Sequence, residues 1–116
     1  MAIPSGSGTE VLKRTAGAID GATTSVLTVG TNKICTILSI AILNTNTSAE
    51  TDIYIKIHDG SADRTILAKT SNSSRLGTHA TFVYNDRLVL TAGDILKIEV
   101  VQQVTYYISY IEQDWS

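Results

Sequence analysis

The side chains with chemical capacity in this sequence are few and scattered. "DGSAD" at 59–63 holds two carboxylates around a glycine, the outline of a calcium loop. A dedicated calcium loop also needs a third acidic position and a distal bidentate glutamate, and neither follows. A hairpin turn between two strands accounts for the same residues, with Asp59 and Gly60 as turn formers. "SGSG" at 5–8 has the glycines of a phosphate cradle. It lacks the Lys-Ser/Thr and the helix N-terminus with which such a cradle binds its anion. His58 and His79 are the only histidines. A hydrolytic site would hold one of them between a nucleophile and an orienting acid, and no nucleophile-elbow pattern supplies the first. Cys35, the single cysteine, sits in an apolar run. It allows neither an internal disulfide nor a thiolate zinc cluster within one chain, and reads as a small core residue. No catalytic residue, cofactor or metal site is assigned, and the expectation is a protein that is not an enzyme.

The elements carrying these residues are short. Segments rich in Ile, Val, Thr and Tyr alternate with clusters of Gly, Asn, Asp and Ser, the pattern of strands and turns. Residues 51–58 are the clearest: Ile53, Ile55 and Ile57 point one way, Tyr54, Lys56 and His58 the other. Residues 33–43 are apolar on both sides of a simple alternation, with Ile34, Leu38, Ile40 and Ile42 against Cys35, Ile37, Ala41 and Leu43, so that strand is covered on both faces. The other expected strands are 10–14, 25–29, 64–69, 80–84, 87–90, 94–101 and 104–112. Breaks are expected at 17–23, 44–50, 59–63, 71–78 and 92–94. No stretch carries a helical period. Eight or nine short strands with such regular breaks predict an all-β fold, a single antiparallel β-sandwich of jelly-roll or Ig-like type. Its expected core is Val26, Leu27, Ile34, Leu38, Ile40, Ile42, Ile53, Ile55, Ile57, Leu67, Phe82, Leu96, Ile98, Val100 and Ile108.

Composition narrows the partners. At 116 residues the chain is expected to be one domain. With 43% hydrophobic and only 17% charged residues it is not disordered, and some of its surface is expected to face protein rather than water. The net charge of −2, with no basic cluster, argues against nucleic acid. No run of 18 apolar residues exists to span a membrane. The opening lacks the basic and apolar regions of a secretion signal, so synthesis in a cytoplasm is expected.

Both ends of the chain are unusual. "MAIPSGSGTEVLKR" combines the only proline, Pro4, with two Ser-Gly pairs and then an apolar–polar alternation. Residues 1–9 read as an extended N-terminal arm, ordered on a partner, ahead of a sandwich domain at 10–116. "VTYYISYIEQDWS" sets Tyr106, Ile108 and Tyr110 on one face of a strand and Tyr107, Ser109 and Ile111 on the other, with Trp115 beyond. Tyr and Trp are the usual anchors of protein interfaces. The candidate assembly interface is Ile3, Pro4, Glu10, Leu12, Tyr107, Ile111 and Trp115. A two-layer sandwich of this size cannot cover both faces of two apolar strands, so the surplus face predicts a homo-oligomer, a closed trimer being the simplest form.

The same ends, "MAIPSGSGTEVLKR" and "YISYIEQDWS", resemble small virion-associated proteins of tailed, often marine, bacteriophages. "FVYNDRLVLTAGDILKI" at 82–98 resembles a stretch of phage structural β-sandwiches. The resemblance implies a structural protein of the virion, made in the host bacterial cytoplasm. Its expected role is a capsid decoration (cement) protein on the major capsid protein or another virion protein. The alternative it implies is a tail or head-fibre component, an adaptor or host-surface and glycan-binding module that would recognise its target through the loops at 44–50, 59–63 and 71–78.

Overall fold

The computed structural model describes residues 9–70 and 75–115. Among them there are nine strands and no helix: β1 (Thr9–Asp20), β2 (Thr23–Thr28), β3 (Lys33–Asn44), β4 (Ile53–His58), β5 (Asp63–Lys69), β6 (Thr81–Tyr84), β7 (Leu88–Thr91), β8 (Ile95–Val100) and β9 (Gln103–Asp114). They form two antiparallel sheets. One runs β1-β9-β3-β6, with β7 also paired to β3; the other runs β2-β8-β4-β5. Counted with β6 and β7 as one interrupted strand, this is the order of an eight-stranded jelly roll, which decides between the two sandwich types expected.

The core between the sheets is aliphatic. Ile37, Ile40, Ile42 and Ile108 from the first sheet meet Ile53, Ile55, Leu96 and Ile98 from the second, all fully buried. The period of two in residues 53–58 places Ile53 and Ile55 inward and Tyr54 and Lys56 outward, as expected. Two buried polar side chains close one end. Asn44 Nδ2 donates to the carbonyls of Ala49 (3.0 Å) and Leu76 (3.1 Å), and its Oδ1 accepts from the Asn46 N–H (2.9 Å). Thr51 Oγ1 accepts from the N–H groups of Val101 (3.1 Å) and Gln102 (3.0 Å). Each side chain takes the place of a missing ladder partner, so buried backbone groups in the loops stay bonded.

Two expectations are corrected. The break at 17–23 is shorter than read: β1 pairs with β9 without interruption from Thr9 to Asp20 and turns only at Gly21, whose φ of 61° suits the bend. Thr9 therefore opens β1 rather than closing the arm. Residues 33–43 do not alternate simply. A β-bulge between Ile37 and Ser39 inserts one extra residue, Leu38, and reverses the phase of the strand. Cys35 and Ile37 before the bulge, and Ile40 and Ile42 after it, all face the core, whereas Ile34 and Leu38 do not belong to it. The same point interrupts the other neighbour of β3: β7 pairs with Ile34–Ile37, β6 with Ile40–Leu43, and Asn85, Asp86 and Arg87 span the gap.

Candidate assembly interface

The two outer faces of the sandwich are chemically opposite. On the β2-β8-β4-β5 sheet, Lys56 and Lys97 stand directly opposite one another, a repulsive pair if left alone. Glu99 takes Lys56 at 2.7 Å and Asp63 takes Lys97 at 3.2 Å. His58 Nδ1 lies 2.8 Å from the same Asp63 carboxylate. The bonds from His58 and Lys97 hold the Asp63 carboxyl below its ordinary value, and Lys56 does the same for Glu99. The "DGSAD" residues form the hairpin turn expected. Asp59 accepts from the N–H groups of Ser61 and Ala62 (both 3.2 Å) and from Arg64 (3.0 Å), and Gly60 has a φ of 93°. Its carboxylates thus serve the turn and the face network. This face is a solvated charge lattice.

The outer face of the other sheet is nearly uncharged. Cross-strand register fixes its members, since directly opposed residues share a face. Leu12, Arg14, Ala16 and Ala18 of β1 face Ile111, Ser109, Tyr107 and Thr105 of β9; these in turn face Thr36, Ser39, Ala41 and Leu43 of β3. Val83 and Val89 extend the face across β6 and β7. Leu12 is 72% exposed, Val89 64%, Val83 47% and Tyr107 46%. Such a concentration of open apolar side chains is unusual for a surface that meets only water. Among the described residues in register on this face, the charged ones are Glu10, Arg14 and Asp20 of the edge strand β1.

Tyr107 is its centre. It stands between Ala16 on one neighbouring strand and Ala41 on the other, a large side chain flanked by two small ones. Hollows open on both sides. One of about 440 Å³ is lined by Leu12, Lys13, Arg14, Leu38, Tyr107 and Ser109; another of about 300 Å³ has Ala16, Ala41, Leu43, Thr81 and Tyr107 in its lining. The Arg14 guanidinium carbon lies 5.7 Å from the Tyr107 ring centroid and holds the ring by a cation–π contact. A large aromatic anchor flanked by hollows, with an arginine beside it, is the kind of arrangement found at the energetic centre of protein interfaces.

Four of the residues singled out in the sequence come together here. Leu12 and Ile111 are register partners, Tyr107 lies on the same face, and Glu10 accepts a 2.9 Å hydrogen bond from Gln113 Nε2 at the rim. Trp115 lies past the end of β9, half-buried, its backbone N–H bonded to the Asn32 carbonyl at 2.9 Å. Its indole nitrogen is shielded and has no hydrogen-bond partner among the described residues. Ile3 and Pro4, and with them most of the expected arm, lie outside the described residues. Sequence reading missed Leu38, Val83 and Val89. Only the bulge and the pairing of β6 and β7 reveal their side. His58 belongs to the charged face, and His79 to a loop on the other sheet. There His79 holds a φ of 55° and donates its N–H to the Asn44 carbonyl at 2.9 Å.

No protein-family model matches the sequence, and no curated protein matches it. Solved structures do match in fold. A chain of the acid-stable capsid of Helicobacter pylori bacteriophage KHP30 is similar with a TM-score of 0.56 and 9% identity, over 94% of each chain. A chain of the cyanophage Pam1 capsid asymmetric unit gives 0.52 and 17%, over 98% of this chain and 92% of that one. A subunit of the disulfide-linked pili formed by Bacillus endospore appendages gives 0.51 and 12%, over 100% and 97%. At such identities the likeness is one of fold.

Proposed function

We propose that this chain is a structural, non-enzymatic protein of a tailed-bacteriophage virion. Its role is that of a capsid decoration (cement) protein, laid on the shell by the outer face of the β1-β9-β3 sheet. The observation that carries this reading is the contrast between the two outer faces. One is apolar, almost uncharged and centred on Tyr107; the other is a lattice of ion pairs suited to water. A plate with one dry and one wet side fits a subunit that lies flat on a larger surface. The jelly-roll fold shared with two phage capsid chains supports the same reading. The residues ahead of β1, 1–8, act as the arm that reaches a neighbouring subunit, and a homotrimer is the closed form that matches a three-fold junction of a shell.

The likeness to the endospore-appendage subunit suggests a fibre instead, but those pili are disulfide-linked. Here the only cysteine is fully buried, with its thiol pushed up by burial, and cannot reach another chain without unfolding. Quantitative proteomics and immunogold labelling of purified virions test the role. Copies in near-stoichiometric ratio to the major capsid protein, spread over the head, support decoration. A handful of copies at one vertex or on the tail would replace it with the adaptor or fibre reading.

A further inference from the structure

The edge of β1 points to a second use of this strand. β1 ends its sheet, and among the described residues no strand pairs with its outer edge. Its twelve residues keep an unbroken register with β9, with no bulge and no proline. Long, regular edges of this kind are ordinarily blunted by a proline, a bulge or an inward lysine. Lys13 does face inward, but its ammonium is held by Glu112 at 2.7 Å and does not guard the edge. Most of β1 is exposed as well, because the second sheet covers it only near Ile19.

We infer that β1 pairs antiparallel with β1 of a second copy, about a two-fold axis through Leu12, joining two sandwiches into one continuous sheet. The charge pattern selects this partner and this register. Glu10 and Arg14 lie two residues either side of Leu12, on the same outer face and both exposed. Antiparallel pairing centred on Leu12 sets Glu10 of each copy opposite Arg14 of the other. Two reciprocal ion pairs then flank a Leu12–Leu12 contact, which covers the most exposed large apolar side chain among the described residues. A two-fold contact of this kind links copies, or closed rings of copies, across a surface.

This contact is independent of the virion role, since a chain that dimerises but ignores shells would leave it standing. Cysteine cross-linking of the full-length protein tests it, because directly opposed residues in an antiparallel pair lie within the Cα span of a disulfide. The buried Cys35 does not compete. Leu12→Cys is expected to give a covalent dimer under mild oxidation, and a mixture of Glu10→Cys with Arg14→Cys a mixed dimer. In sedimentation, Arg14→Glu is expected to lower dimer affinity at least about tenfold, and the swap Glu10→Arg with Arg14→Glu to restore it. Circular dichroism melts check that each variant stays folded. A folded Leu12→Cys protein that does not cross-link overturns the pairing. Preferential linking of Ala16→Cys to Ala18→Cys, which would set Arg14 against Asp20, overturns the register.

Discussion

Gly17 and Tyr106 stand directly opposite each other on β1 and β9, and the tyrosine ring fills the space a side chain at Gly17 would need. A Cβ built at Gly17 would lie 2.8 Å from the phenol oxygen and 3.1 Å from Cζ. The aromatic ring shields a backbone stretch that glycine leaves bare, which keeps β1 in the sheet where glycine alone would weaken it.

Gly17→Ala is expected to push the Tyr106 ring off β1 and cost about 1–3 kcal/mol, as overpacking does. Thermal or urea unfolding measures it. The same substitution in a Tyr106→Ala background should cost markedly less, since the clash is gone; equal costs in both backgrounds would place the ring elsewhere.

The bulge in β3 makes neighbouring residues behave in opposite ways. Ile37→Ser removes a fully buried side chain and leaves a cavity with a hydroxyl in it, for an expected loss of about 3–5 kcal/mol. Leu38→Ser lies on the outer face and should cost less than about 1 kcal/mol. Denaturant midpoints of the two variants read the phase of the strand directly.

Asn44 is expected to tolerate little. Asn44→Ala deprives the Ala49 carbonyl and the Asn46 N–H of their Asn44 partner and leaves the Leu76 carbonyl with the Thr51 N–H alone, at about 2–4 kcal/mol. Increased hydrogen exchange at Asn46 and in the loop after β3 should accompany the lower melting temperature. An Asn44→Ala protein as stable as the parent would mean that these groups find other partners.

Much of this architecture is legible in the residues themselves, and the reasons for the gaps are physical. Alternation in 53–58 gives β4 and its inward face because nothing interrupts it. Residues 33–43 mislead because one inserted residue reverses the alternation, and apolar side chains on both sides of the bulge hide the change. Gly17 reads as a break because the side chain that compensates for it, Tyr106, is distant in sequence. The site divides along the same line. Leu12, Tyr107 and Ile111 announce themselves by local pattern. Val83 and Val89 join them only through pairing with β3; Asn44 reads as an ordinary turn residue and Thr51 as the start of a strand until the loops close over them.

Acid is expected to weaken the domain. Asp63, Glu99 and Glu112 are each held below their ordinary values by His58 and Lys97, by Lys56 and by Lys13. A carboxyl depressed in the folded chain binds its proton more readily when unfolded. Its contribution is therefore present above the ordinary carboxylate range and lost as pH falls through the folded values. Melting temperature should be flat between about pH 5 and 7 and fall below about pH 4. Lys13 and Lys56, raised above 10.5 by Glu112 and Glu99, act in the opposite sense: their contribution fades only as pH rises past that range. Asp63→Asn should flatten part of the acid limb; an unchanged profile would mean that the Asp63 pairs with His58 and Lys97 contribute nothing to folding.

If the Tyr107 face attaches the chain to a shell, co-sedimentation with purified capsid shells of a phage whose genome carries this sequence reveals it. The parent protein and a variant altered on the charged face, Lys56→Gln, should pellet with the shells in amounts comparable to the major capsid protein. Tyr107→Arg, which sets a bulky cation between Ala16 and Ala41, should stay in the supernatant while melting as the parent does. Binding of Tyr107→Arg at the parent's level, or a parent protein that never pellets, would contradict attachment by this face.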